Sequence, residues 1–422
     1  MNLSFNKDNR IILPHEMELP RCPELNVTDK VHQRIQGCLI GLAIGDALGA
    51  HVEFRPRQYL VANPVRTMIG GGTWGLNAGQ WTDDTSMALC LATSLIVHRS
   101  FNPYDQLVRY KWWFQYGYMS STGNCFDIGK ATRHALNEFS KRQRLLKIAY
   151  RCRNDYETDC LTLDSVQRIH KFQLECGEKG SAGNGGLMRL AGVPLFYWKR
   201  PDLAVNYAGQ STQLTHADRK AIDASRYYSA LIVGAIQGMS KEQLLHRNFY
   251  ERNRIWFGED PLHEEILNVA QGSFKKSDGY EGGIRGKGYV VNSLEAVLWA
   301  FWSDENSFEK GVLLAVNLGD DTDTTAAIYG QLAGAYYGYE QIPLEWRDKL
   351  YARDLIRSIG EWLEFLGFQF DEMSTGKPSL SRSISHDPNT NSTLRATPSN
   401  FRSPYNDSMS NRSQFYYRKT NS

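Results

Sequence analysis

The chain has 422 residues, 41% hydrophobic and 22% charged, enough for one large core or two modest domains of an ordinary globular protein. Forty-eight basic residues against 46 acidic ones leave a formal charge of +2, which excludes a general polyanion-binding surface and with it bulk nucleic-acid binding.

Residues 1 to about 30 carry Pro14, Pro20 and Pro23 with weak periodicity, which predicts an extended arm before regular structure starts. Its first residues, Met1 to Asp8, lack the basic-then-apolar order of a secretory signal. Thr28-Asp29-Lys30 offers a helix start, after which Val31, Ile35, Leu39 and Leu42 recur at helical spacing. Gly37, Gly41, Gly45 and Gly49 stand at every fourth position of that helix, a row that lets a neighbouring backbone come close. The longest apolar run, Cys38 to Ala50, falls short of membrane-spanning length and contains Asp46.

Further helical stretches are predicted over Ser86 to Val97, Ala221 to Met239, Asn292 to Trp302, Phe308 to Val316 and Thr325 to Tyr337. Strand-like alternation is nearly absent, and Ala and Gly dominate the helical faces, so the expected fold is all-α, one compact domain over 31–370. Residues from about 140 to 180 concentrate Lys141, Arg142, Arg144, Lys147, Arg151 and Arg153 among apolar residues and read as a helical surface insertion, either solvated or partner-binding. From 371 to 422 the composition turns to Ser, Asn, Thr, Arg and Pro, which predicts a disordered polar tail. The seven cysteines are odd in number and form no C-x-x-C pair, which suits a reducing cytoplasm.

Two acidic runs carry the chemistry. Thr82-Asp83-Asp84-Thr85 and Asp320-Asp321-Thr322-Asp323-Thr324 each stand directly before an Ala-rich apolar stretch. Helix capping accounts for one such residue per helix, since Asp and Thr are favoured at N-termini. The surplus carboxylates repel unless a cation neutralises them, and oxygen ligands without His or Cys suit Mg2+ or Mn2+. Gly183-Asn184-Gly185-Gly186 is either a plain turn or a loop whose amides approach a phosphate or ribose, although it matches no P-loop or dinucleotide fingerprint. Gly70-Gly71-Gly72 fails the same test. His216 precedes a helical run and is either structural or a substrate contact, and Glu53, just past a helix end, forms either a surface salt bridge or an acid able to act on water.

Taken together, Gly45-Asp46-Ala47-Leu48-Gly49 with Glu53, Trp81-Thr82-Asp83-Asp84-Thr85, Phe126-Asp127-Ile128-Gly129, Gly183-Asn184-Gly185, Thr215-His216 and Gly319 to Thr324 resemble the ADP-ribosylglycohydrolase family. The likeness runs in the family's order over roughly residues 31 to 370. It implies a compact helical domain with two Mg2+ or Mn2+ ions and a substrate of ADP-ribose joined to a protein side chain. By that resemblance Thr82, Asp83, Asp84, Asp321, Asp323 and Thr324 are the metal ligands, and Glu53, Asp83 and Asp321 form the catalytic set. Gly183, Asn184 and Gly185 hold the diphosphate and distal ribose, His216 lies toward the adenosine, and Asp127 faces the guanidinium in members that act on arginine.

The expected activity is therefore hydrolysis of ADP-ribosyl-arginine by a cytoplasmic monomer that undoes a transferase, with an ADP-ribosylated protein as substrate partner. A rival of another class is an immunity-type binding protein that occludes an ADP-ribosyltransferase through the cleft or the arm before Thr28. Neither a membrane nor nucleic acid is expected as a partner.

Overall fold

The computed structural model describes residues 6–7, 10–23 and 28–375. Its long helices are α1 (Asp29–Gly49), α2 (Asp83–His98), α3 (Pro103–Tyr116), α4 (Lys130–Ala149), α5 (Pro201–Gln213), α6 (Arg219–Ile236), α7 (Val290–Ser303), α8 (Phe308–Val316), α9 (Thr322–Tyr337) and α10 (Arg353–Thr375). Among the described residues, strand pairing is confined to Asn6–Lys7 against Arg10–Ile11 and a few isolated bridges. The fold is all-α, as the small-residue helical faces predict.

Helices α1 and α9 form the central pair, and the glycine row explains how close they lie. A Cβ placed on Gly37 would sit 2.3 Å from the Gly334 carbonyl oxygen, one on Gly41 2.3 Å from that of Gly330, and one on Gly45 2.1 Å from that of Ala326. The approach is mutual, since a Cβ on Gly330 would meet the Gly41 oxygen at 2.0 Å. Only hydrogen side chains permit this backbone-on-backbone contact. Contrary to the expectation from the apolar run alone, α1 with the short turn that follows it, Asp29 to Val52, is long and apolar enough to cross a membrane, but its most apolar stretch is 94% buried inside the protein. It is the core helix around which the others pack.

Helix α3 was not signalled by periodicity. Nine of its residues, including Arg109 and Lys111, are buried, so no polar stripe interrupts the pattern. Asp105 pairs with Arg109 at 2.6 Å, and Lys111 pairs with Asp159 and donates to Gln143. That second pair ties the 140–180 segment to the core, so the segment is only partly surface. Its helix begins at Lys130, because the apolar positions Leu136 and Phe139 extend the stripe of Leu146 toward the N-terminus.

The described part of the arm is docked. His15 Nδ1 meets the Tyr351 hydroxyl at 2.5 Å, Trp362 Nε1 donates to the Pro20 carbonyl at 2.8 Å, and Cys22 Sγ donates to the Glu361 carbonyl at 3.4 Å. α10 continues to Thr375, past the boundary expected at 371, and the rest of the predicted tail lies outside the described residues.

Candidate functional site

The two acidic runs, more than two hundred residues apart in the chain, meet at the N-termini of α2 and α9. Thr82 stands at the N-cap of α2 and Asp321 at that of α9, yet neither side chain accepts a cap hydrogen bond from its helix. Capping therefore does not account for these side chains. Thr82 turns instead toward the surrounding acids, and Asp321 toward Asn184. Thr82 Oγ1 lies 3.0 Å from Asp46 Oδ1, 3.1 Å from Asp84 Oδ2 and 3.3 Å from Asp323 Oδ2, and Thr324 Oγ1 lies 3.5 Å from Asp84 Oδ2.

One hydroxyl has one proton, so Thr82 satisfies one of its three carboxylate neighbours at a time. Asp84 Oδ1 and Asp323 Oδ1 are buried with no hydrogen-bond partner. Asp46, Asp84 and Asp323 each offer an oxygen within 4.8 Å of the others, and so do Glu53, Asp127 and Asp323. Orphaned carboxylate oxygens, crowded and dry, fit hard divalent cations by the chemistry of the donor set.

Asp46 was absent from the expected ligands, and the structure gives it a role. From the last turn of α1 its Oδ1 accepts from the Thr82 amide at 2.9 Å, and its Oδ2 accepts from the Thr85 amide and hydroxyl at 3.0 and 2.7 Å. One carboxylate thus fixes the whole first acidic turn. The sequence did hold a signal, an aspartate inside the most apolar stretch of the chain.

Glu53 is anchored on two sides. The Phe54 amide donates to the Asp320 carbonyl at 2.8 Å and the Asp320 amide donates back to the Arg55 carbonyl at 2.8 Å, which staples the 53–55 turn to the second acidic loop. Trp74 Nε1 donates to Glu53 Oε2 at 2.8 Å, and the Trp74 ring packs on Phe126 with centroids 5.5 Å apart. Trp74 had no sequence signal beyond its place after Gly70-Gly71-Gly72, whose Gly71 bridges to Leu76 to close the turn. Phe54, Asp127 and Asp320 have φ of 65°, 55° and 62°, left-handed values that cost free energy for residues other than glycine. Such strain concentrates at functional sites.

Asn184 Nδ2 donates to Asp321 Oδ2 at 2.8 Å and to Ser293 Oγ at 3.0 Å, while its own amide donates to the Gly288 carbonyl at 3.0 Å. Behind this loop lies His216, buried, with its ring so near that a Cβ on Gly185 would fall 2.6 Å from Cε1. Gly183, Asn184, Gly185 and His216 therefore form one unit beside the acids.

Electrostatics follow from this crowding. Burial pushes the Glu53 carboxyl up to about 10, helped by the negative charges of Asp127 and Asp321. Burial also raises Asp46 to about 6 and holds Asp83, Asp84, Asp127 and Asp323 well above the carboxylate range. Asp83 makes no direct bond to the other acids but is raised further by Glu53, Asp46 and Asp321. Asp321 is raised less, since Asn184 and Thr324 hydrogen-bond its charged form. Burial, with Arg189 nearby, lowers His216 to about 3, so its imidazole is neutral.

A family model described as ADP-ribosylglycohydrolase matches residues 27–369. The chain is 34% identical over 377 residues to a protein of Serratia proteamaculans named ADP-ribosylarginine hydrolase Tri1, covering 88% of this chain and 89% of that one. It is 28% identical over 347 residues to ADP-ribosylhydrolase ARH3 of Bos taurus, covering 74% and 87%. A solved structure titled ADP-ribosylglycohydrolase-related protein complex aligns with a TM-score of 0.63 and 36% identity, over 81% of this chain and 100% of the other.

Proposed function

From the premise that this chain belongs to the ADP-ribosylglycohydrolase family, we propose that it is a divalent-metal-dependent hydrolase that frees ADP-ribose from modified arginine side chains and so reverses a transferase. The observation that carries this reading is the pair of buried, partnerless oxygens on Asp84 and Asp323 within a knot of acids edged by Glu53 and Asp127. The relatives at 34% and 36% identity that are named for the arginine linkage support the choice of substrate. All seven cysteines are free, which supports a reducing compartment.

On this reading Thr82, Asp83, Asp84, Asp321, Asp323 and Thr324 hold two Mg2+ or Mn2+ ions. When bound, the ions supply positive charge that neutralises the acids and orients the ribose hydroxyls. Cleavage at the anomeric carbon builds oxocarbenium character on the ribose while the leaving nitrogen takes a proton. Trp74 donates to Oε2 of Glu53 and Asp127 hydrogen-bonds the same carboxyl, so the proton of Glu53 is shared between two acids, in position to pass to water or the leaving group. Asp127, left-handed and half-buried, carries a raised carboxyl that a guanidinium would draw into its charged form, a pairing that allows two parallel hydrogen bonds. Asn184, tied to Asp321, holds the glycine loop for the diphosphate and distal ribose.

Incubation with an ADP-ribosyl-arginine protein and Mg2+ or Mn2+ is expected to release free ADP-ribose, and EDTA to stop it. A substrate left intact with either cation present rules out the arginine linkage. A second reading, occlusion of a transferase by the arm, is favoured by one observation: a Cβ on Gly123 would meet Leu13 Cδ2 at 2.7 Å, so the docked arm reaches the 119–127 loop that carries Asp127. Protection against a transferase that survives Asp321→Ala would support occlusion, and its loss would support hydrolysis.

A further inference from the structure

Arg189 is fully buried, yet among the described residues it makes no ion pair. Its Nη2 donates to Thr215 Oγ1 at 2.6 Å and to the Ser211 carbonyl at 3.2 Å, its guanidinium lies 4.9 Å from the Tyr110 ring centre, and Nε and Nη1 have no partner. Burying a cation in this way costs more than an apolar side chain of the same volume would. The arrangement therefore calls for a use.

The bonding order supplies one. A guanidinium only donates, so Thr215 Oγ1 must accept from Arg189 and has its own proton left to give. The acceptor within reach is His216 Nδ1, 2.8 Å away. Nδ1 then carries the lone pair, and the single proton of the neutral ring sits on Nε2. That atom faces the glycine loop, since it would lie 3.2 Å from a Cβ on Gly183 and 3.1 Å from one on Gly185.

We infer that Arg189 is a positioning residue which, through the Thr215 hydroxyl, fixes His216 as the Nε2–H tautomer and so presents a hydrogen-bond donor to the anionic half of ADP-ribose at the Gly183–Gly185 loop. The ligand in this inference rests on the function proposed above; the tautomer does not. Without Arg189, the Thr215 oxygen is free to accept from Nδ1–H, which turns a lone pair on Nε2 toward the ligand's oxygens. Gln106 Oε1 is a second buried, partnerless atom on the same network, joined through Ser211, and it gives no donor that would replace Arg189.

The test is nitrogen NMR of labelled histidines, with the His216 signals assigned by their loss in His216→Asn. The wild-type protein is expected to show a protonated Nε2 and a bare Nδ1. Arg189→Met and Thr215→Val are expected to lose that preference, and Arg189→Lys, which can only donate, to restore it. In parallel, ADP-ribose affinity should fall on the order of tenfold or more in Arg189→Met, with KM affected more than kcat and recovery in Arg189→Lys. Should Arg189→Met fail to fold, Thr215→Val carries the measurement with Arg189 intact. A wild-type His216 protonated on Nδ1, or a tautomer unchanged in Thr215→Val, overturns the inference. A wild-type protein that shows the expected tautomer but no affinity for ADP-ribose sinks the proposed function and leaves the relay standing.

Discussion

At the scale of single residues, the site is defined by groups that are poorly satisfied on their own. Asp84 exposes one buried oxygen to no partner and shares the other with two hydroxyls. In EDTA its raised carboxyl keeps a proton that the unfolded chain releases, a penalty the isosteric amide avoids, so Asp84→Asn is expected to raise the melting temperature at neutral pH, by an amount equivalent to about 1–3 kcal/mol. The same variant should lose the stabilisation that Mg2+ or Mn2+ gives the parent. Thermal unfolding with and without cation checks both halves, and a variant less stable than the parent in EDTA would show that the acids are satisfied without metal. Trp74→Phe probes a different atom. It keeps a ring beside Phe126 but removes the donor to Glu53 Oε2, so turnover should drop on the order of tenfold while cation-induced stabilisation stays intact. A loss of both would mean that Trp74 supports the fold and not the acid.

At the scale of elements, the glycine row of α1 is a ruler that ends at the site. Its last member, Gly49, lies where a Cβ would be 2.4 Å from the Asp323 Cα, whereas Gly37 packs at the far end against Gly334. Alanine at either position gains helix propensity of up to about 1 kcal/mol, but the clash is with backbone, which cannot swing aside, and overpacking of this kind costs about 1–3 kcal/mol. Both substitutions should therefore destabilise. Only Gly49→Ala should also weaken cation binding, read by calorimetry, because it displaces the turn that carries Asp323; equal loss in Gly37→Ala would break this account. The same row shows what the sequence made legible. Period and small residues announced α1, α2, α6, α7, α8 and α9, and composition announced both acidic runs, because those signals are local. The Phe54–Asp320 staple, the grip of Asp46 on Thr82 and Thr85, and the Arg189–Thr215–His216 relay join residues far apart or hide in apolar context, so no local pattern reports them. The family resemblance supplied roles for Glu53, Asp127 and Asn184 that spacing alone left open.

At the scale of the whole molecule, the clustered acids make stability, pH and cation a single linked problem. Asp46, Glu53, Asp83, Asp84, Asp127, Asp321 and Asp323 are all raised above the ordinary carboxylate range by burial, with neighbouring charges adding to it at Glu53, Asp83, Asp84, Asp127 and Asp323, while hydrogen bonds from Thr82 and Thr85 moderate Asp46 and one from Asn184 moderates Asp321. Between the unfolded value near about 4 and those raised values, the native protein keeps protons that the unfolded chain has released, so stability falls as pH rises. His216 acts with the opposite sign, because its lowered value means that stability is lost as pH falls from about 6.5 toward about 3. The cation-free protein should therefore be most stable in mildly acid solution, near about pH 5.5, and weaker near about pH 8. A divalent ion needs the ligands deprotonated, so it competes with those protons and gains affinity as pH rises. With cation at about a hundred times its Kd the gain is about 2.7 kcal/mol per site, which should narrow the gap between the two pH values. Melting curves at both pH values, in EDTA and in Mn2+, decide the matter. A cation-induced shift of equal size at the two pH values would mean that the ions, if bound, sit on groups other than these acids.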